Sequence, residues 1–184
     1  MKEYERKQPL FSLCGLNCGL CPRYQSEGTS KCPGCGGEDF YLKHPSCAVI
    51  TCSKKHGGIE FCFLCESYPC ERYAKPSKKD SFITYQNVLR DMQRAAQNGI
   101  GEYLAELDEK IKFLQTLIGK FNDGKKKSFY CTAVNLLDRE DLTDIREKIE
   151  GRAGNTPKED MIRWIESMFV EKAAARGIGL KLRK

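Results

Sequence analysis

The sequence predicts a two-part fold: a small loop module built around cysteines, then a mainly α (α+β) domain with four helices and room for one short strand pair. Two observations predict it. Ten of the eleven cysteines fall within the first 70 of 184 residues, and only Cys131 lies beyond. From residue 82 onward, apolar residues recur at steps of three and four, the period of a helix with one buried face. The composition changes at Lys75-Pro76-Ser77-Lys78-Lys79, which reads as a linker and divides the chain into a module over 1–75 and a helical domain over 76–184.

Residues 1–8 are charged and polar, and no apolar stretch of signal-peptide length follows them. No segment approaches the roughly 20 apolar residues of a membrane span. The expectation is a soluble, cytoplasmic protein. In a reducing compartment dense cysteines are read as metal ligands before disulfides, and an odd total fits a fully paired disulfide framework poorly.

Residues 10–71 show neither helical period nor sustained strand alternation, and Gly and Pro punctuate them throughout, so the module reads as knuckles and loops. Aliphatic residues are sparse there, while ordering costs on the order of 1.5 kcal/mol per residue. A structural zinc ion supplies an apparent 10 to 16 kcal/mol or so, enough to organise such a segment.

The spacings are Cys14-x3-Cys18-x2-Cys21-Pro22, Cys32-Pro33-Gly34-Cys35, Cys47-x4-Cys52 and Cys62-x2-Cys65-x4-Cys70. A pair separated by two residues lets one tight turn present two sulfurs to a tetrahedral ion, and two such pairs close a four-sulfur site. Cys18, Cys21, Cys32 and Cys35 are the most compact candidate. A second site would draw on Cys47, Cys52, Cys62, Cys65 and Cys70, five sulfurs for four positions. Two zinc ions are expected. Three is the alternative, since ten cysteines with His44 and His56 supply twelve ligands; the two histidines read more simply as loop residues, and Cys131 as a buried free thiol.

In the helical domain, Ser81 is placed as the cap of a first helix carrying Phe82, Tyr85, Leu89, Met92 and Ala96, stopped at Asn98-Gly99. Leu104, Leu107, Ile111, Leu114, Ile118 and Phe121 define the second, ended by Asn122-Asp123-Gly124. The apolar run 129–137 is too short for periodicity to decide and is read as a strand. Asp138 opens a short helix with Leu142, Ile145 and Ile149 that ends near Gly151. Thr156-Pro157-Lys158-Glu159 has a capping-box pattern and opens the last helix, with Met161, Trp164, Ile165, Met168 and Phe169 on one face. Ile178, Leu180 and Leu182 alternate with polar or small residues as a terminal edge strand would, with the 129–137 run as partner.

Other chemistry is thin. The chain contains no phosphate-binding G-x-x-x-x-G-K-[ST] loop, dinucleotide fingerprint, H-E-x-x-H helix or G-x-S-x-G elbow. Two histidines leave few options for acid–base catalysis, and no catalytic residue is assigned. The formal charge of +6 is weak evidence for a polyanionic partner, because two zinc ions held by eight thiolates reduce it to about +2. The basic residues near Lys125 and at the C-terminus read as solvated surface.

The order Cys-Gly-x-x-Cys-x-x-Cys-Pro at residues 14–22, then Cys32-x-Gly-Cys35 and Cys62-x2-Cys65-x3-Pro69-Cys70, resembles a prokaryotic family known as domain of unknown function 3795. The resemblance covers mainly residues 10–73. It implies a bacterial or archaeal cytosolic protein, small and cysteine-rich, of a kind supposed to bind zinc, and marks Cys14, Cys18, Cys21, Cys32, Cys35, Cys62, Cys65 and Cys70 as its functional positions. It implies no reaction. The Cys14-x3-Cys18-x2-Cys21 spacing also matches the three-cysteine loop of radical S-adenosylmethionine enzymes, but such enzymes need a barrel of strands and helices that the following sequence is too short to build.

The expected function is a non-enzymatic, zinc-binding protein whose structural zinc sites support a protein-interaction or scaffolding module, with another protein as partner. The alternative is an iron–sulfur or thiol redox protein, motivated by the Cys14 loop and by spare thiols such as Cys70. A second alternative is a nucleic-acid-binding zinc module using Lys31, Lys54 and Lys55.

Overall fold

The structure, a computed structural model, describes residues 4–75, 77–152 and 156–184. Pro76 of the expected linker lies outside the described residues. Seven α-helices occur among them: α1 (Phe40–Lys43), α2 (Ala48–Lys55), α3 (Val88–Asn98), α4 (Ile100–Phe121), α5 (Lys127–Leu136), α6 (Arg139–Arg152) and α7 (Lys158–Ala175). Three 3-10 turns, Cys18–Leu20, Gly28–Ser30 and Cys62–Leu64, sit in the cysteine-rich part. No strand occurs among the described residues, so the expectation of four helices with a strand pair is corrected to an all-helical fold.

The run read as a strand is α5, in which every residue from Tyr130 to Leu136 is buried. A helix that is covered all round carries no polar face, and its sequence loses the period that would have announced it. The C-terminal residues lack the expected strand partner for the same reason. A Schellman arrangement closes α7, with the amides of Gly177 and Ile178 donating to Ala174 O and Ala173 O at 3.0 and 2.8 Å. The tail then returns to the start of the helical part. Arg183 donates from its amide and guanidinium to the Asp80 carboxylate, and the Asp80 amide donates to Arg183 O at 2.9 Å.

Asp80 also explains why the first long helix begins at Val88 rather than at Ser81. Its carboxylate accepts the Tyr85 amide at 2.8 Å, and Thr84 Oγ1 accepts the Gln86 amide at 3.2 Å. These local side-chain bonds hold the segment in turns that compete with a helical first turn. Gly99, at φ +93°, separates α3 from α4 where the Asn-Gly stop was expected. The capping box at Thr156 does not form; Pro157 stands at the N-cap position of α7 without a side-chain cap.

The cysteine-rich part contributes to the main core. Phe11, Leu20 and Phe61 are buried in one cluster with Met92, Tyr103, Leu107, Ile111 and the interior of α5 and α7. The Phe11 ring lies 4.7 Å from Tyr103 and 5.5 Å from Phe61, centroid to centroid. Burying each such side chain stabilises by about 1.5 to 3 kcal/mol. A smaller cluster of Leu13, Cys35, Phe40 and Ile50 is the module's own. The seam between the two parts in sequence is therefore bridged in space by shared apolar packing.

Candidate functional site

The loop 14–18 is seated directly on the helices. Gly15 has φ +89°, and a Cβ there would stand 2.5 Å from Met92 Cγ; a Cβ on Gly19 would overlap Ile111 of α4. Only glycine permits both the left-handed backbone and this approach. Between them Asn17, 2% exposed, is fixed by a buried polar network. Its Nδ2 donates to Asp91 Oδ2 at 2.8 Å and Asn135 Oδ1 at 2.9 Å, and its Oδ1 accepts the Tyr103 hydroxyl at 2.9 Å. Asn87 Nδ2 donates to the same two acceptors. One loop residue is thus bonded to α3, α4 and α5 at once.

A strap over residues 6–13 carries the knuckles. Pro9 O accepts the Cys35 amide at 2.8 Å, Leu13 O accepts the Cys62 amide at 2.9 Å, and Leu10 O accepts the Gly19 amide at 3.0 Å. The Arg6 guanidinium, its side chain 1% exposed, donates to Phe11 O, Glu60 O and Cys35 O and forms an ion pair with Glu60. The Cys14 turn is closed by Ser12, whose Oγ accepts the Leu16 amide at 2.7 Å and lies 3.2 Å from Cys14 Sγ.

The ten module cysteines divide into three neighbourhoods. Cys14, Cys18, Cys35 and Cys47 line one cavity of about 460 Å³, together with His44 and, from the helical part, Tyr85, Gln86, Val88 and Leu89. Cys52, Cys62, Cys65 and Cys70 line a second pocket of only about 30 Å³, with His56 beside them. Cys21 and Cys32 border neither pocket. Of the compact set Cys18, Cys21, Cys32 and Cys35, the structure places the first and last on the large cavity, where Cys14 and Cys47 join them. The two histidines each stand 3.8 Å from a thiol, His44 Nε2 from Cys32 Sγ and His56 Nδ1 from Cys65 Sγ. Cys131 is buried on α5.

Burial raises the thiol pKa of Cys14 to about 11 against the Ser12 hydrogen bond that lowers it, and burial holds Cys18 well above the ordinary thiol value, with Cys35 and Cys14 adding to it. Cys21, Cys35 and Cys62 rise for the same first reason, and Cys131 reaches about 12. Burial lowers His44. Apolar walls favour neutral thiols, whereas a bound cation inverts that balance and favours thiolates.

Among the described residues no three His, Cys, Asp or Glu side chains converge into a ready ion-holding group. Closing the small pocket on an ion therefore requires thiols to turn about their Cα–Cβ bonds. The donor set there, four sulfurs around the volume of about one water molecule, fits a tetrahedral tetrathiolate ion.

Sequence reasoning had no access to Asn17, Asn87, Asp91, Asn135 and Tyr103, which lie far apart in the chain and follow no motif. It also missed Tyr85, Gln86 and Leu89 as cavity residues. The one local signal was the flanking of Asn17 by Gly15 and Gly19.

Residues 10–75 match the family described as Protein of unknown function (DUF3795), the family that the cysteine order resembles. The match spans the cysteine-rich part, and residues 76–184 lie outside it. No curated protein and no solved structure matches the chain. Among the described residues no helix is long and apolar enough to cross a membrane.

Proposed function

We propose that this chain is a cytoplasmic zinc-binding protein in which Cys52, Cys62, Cys65 and Cys70 hold one structural zinc ion, and that the module so fixed serves as a protein-interaction or scaffolding surface. The observation that carries the reading is the pocket of about 30 Å³ bordered by those four sulfurs, drawn from α2 and from the 62–70 segment. An ion there ties α2 to the Cys62–Leu64 turn, two pieces whose own apolar burial is small. A closed tetrathiolate site leaves no open coordination position, which suits structure rather than catalysis.

The surface role is supported by Leu64, 57% exposed at the tip of the Cys62–Leu64 turn, and by exposed Leu42 on α1. Large apolar side chains held outward on a rigid knuckle suit contact with another protein. Zinc analysis of untagged protein tests the metal part. About one zinc per chain that is lost in Cys52→Ser and in Cys65→Ser supports it. Zinc retained in both variants, or absent from the parent protein, refutes it.

A further inference from the structure

The cavity bordered by Cys14, Cys18, Cys35 and Cys47 differs from the small pocket in size and in its cysteines, although Val49, Arg72 and Tyr73 line both. At about 460 Å³ it is within the range of sites that hold multi-atom ligands, whereas the small pocket, about 30 Å³, has room for one ion. A tetrahedral zinc ion, with bonds of about 2.3 Å, draws its four sulfurs to within about 4 Å of one another. The four cavity sulfurs come from three separate supports: the loop on α3, the 32–37 knuckle and the residue preceding α2. Among the described residues neither these four thiols nor those of the small pocket converge on a ready ion position, so the volume to be filled is what distinguishes the two sets. The strap that holds the Cys35 knuckle through Pro9 O also holds the Cys14 loop through Leu10 O, and Asn17 fixes that loop to α3, so the cavity stands on the main core.

The charge of the walls is one-sided. Among the described residues, Arg72 and Lys75 line the cavity and no carboxylate does. Arg6 adds a guanidinium behind the Cys35 carbonyl, at 3.4 Å. The remaining walls include Leu16, Phe40 and Val88. An occupant that suits this setting is soft, larger than an ion, thiolate-bound and anionic as a whole. A cubane iron–sulfur cluster, in which each thiolate meets a different iron and the ligated unit carries net negative charge, has all four properties.

We infer that Cys14, Cys18, Cys35 and Cys47 are the ligands of a four-iron, four-sulfide cluster housed between the cysteine-rich part and α3. This centre shares no cysteine with the zinc site, although Val49, Arg72 and Tyr73 line both. Cys35 and Cys47 complete a ligand set that begins with the Cys14 loop, while Cys21, which continues that loop's spacing, stands outside.

Anaerobic reconstitution of the full chain with equal amounts of ferrous and ferric iron and with sulfide, followed by desalting, tests this; two ferrous ions, two ferric ions and four sulfides balance the oxidised cluster. About four iron and four sulfide per chain are expected, with a broad visible absorption that bleaches on dithionite reduction. Cys14→Ser and Cys47→Ser should each lower bound iron several-fold, while Cys52→Ser and Cys131→Ser retain it. Alkylation mapping of the unmutated protein provides a readout that does not depend on variants folding. Cys14, Cys18, Cys35 and Cys47 should be protected when iron is bound and labelled together once it is chelated away. Zinc in place of iron at these four positions, iron unaffected by Cys14→Ser and Cys47→Ser, or labelling of the four regardless of iron would overturn the assignment. Loss of zinc alone in Cys52→Ser separates failure of the zinc reading from failure of this one.

Discussion

Asn17 is the residue on which the position of the cavity depends. Its amide group spends both of its polar atoms on buried partners, bonding Asp91, Asn135 and Tyr103. Removing it takes a donor from Asp91 and Asn135 and one of two acceptors from the Tyr103 hydroxyl in a dry interior, where under-satisfied buried groups cost about 1 to 3 kcal/mol. Asn17→Ala is expected to lower stability by about 2 kcal/mol in urea titrations with an unchanged slope; no measurable loss would show that the network is not holding the loop. Gly15 makes the same point sterically. Gly15→Ala adds a methyl against Met92 at a left-handed backbone position, and a destabilisation of about 2 kcal/mol is expected by the same titration. Neither residue could be assigned these roles from the sequence, because an asparagine or glycine beside cysteines fits a turn equally well and the partners of Asn17 lie 74 to 118 positions away.

Among the elements, the C-terminal tail shows how a pattern can mislead. Ile178, Leu180 and Leu182 alternate as a strand would, but the tail bonds to the carboxylate and amide of Asp80 and to the Gln86 side chain rather than to a neighbouring strand. Burial works to raise Asp80, whose side chain is fully buried, yet the hydrogen bonds from Arg183 and the Tyr85 amide outweigh it and hold the pKa near 2 against an ordinary 3.8. A carboxylate depressed on folding contributes stability that is present above its unfolded pKa and lost as pH falls through the folded one. The clamp is therefore worth on the order of 2 kcal/mol at neutral pH and disappears between about pH 4 and pH 2. Asp80→Asn should unfold at lower urea than the parent protein at pH 7, with the gap narrowing steadily below pH 4. A gap independent of pH would contradict the clamp.

The helices that were legible are those with one wet face. The apolar spacing in α4, α6 and α7 and the Asn98-Gly99 stop survive in the structure nearly as read. The start of α3 and all of α5 do not, for opposite reasons. Turn side chains at Asp80 and Thr84 satisfy the backbone before α3 can begin, and α5 is buried on every side. The cysteine spacings disclosed a ligand-rich module, but their grouping depends on which loops face one another. Cys47 and Cys52, five residues apart, face different pockets because one precedes α2 and the other lies on it.

At the scale of the whole molecule, one apolar core runs beneath both the module and the helices, and the thiol cavity lies along the same seam. Phe11, Leu20 and Phe61 bury against Tyr103, Leu107 and Ile111, so removing the first 75 residues uncovers a broad apolar face of α3 and α4. Thermal unfolding of the metal-loaded protein is expected as one transition by both far-ultraviolet circular dichroism and Trp164 fluorescence. Two separated transitions would show that the halves are energetically independent.

If these thiols form two separate centres, single substitutions remove their metals one at a time. Zinc, iron and sulfide would be measured in anaerobically purified, reconstituted protein carrying either Cys52→Ser or Cys14→Ser. Cys52→Ser is expected to lose zinc and keep iron, and Cys14→Ser to lose iron and sulfide and keep zinc. Loss of both metals together in each variant, with helical content preserved, would contradict it.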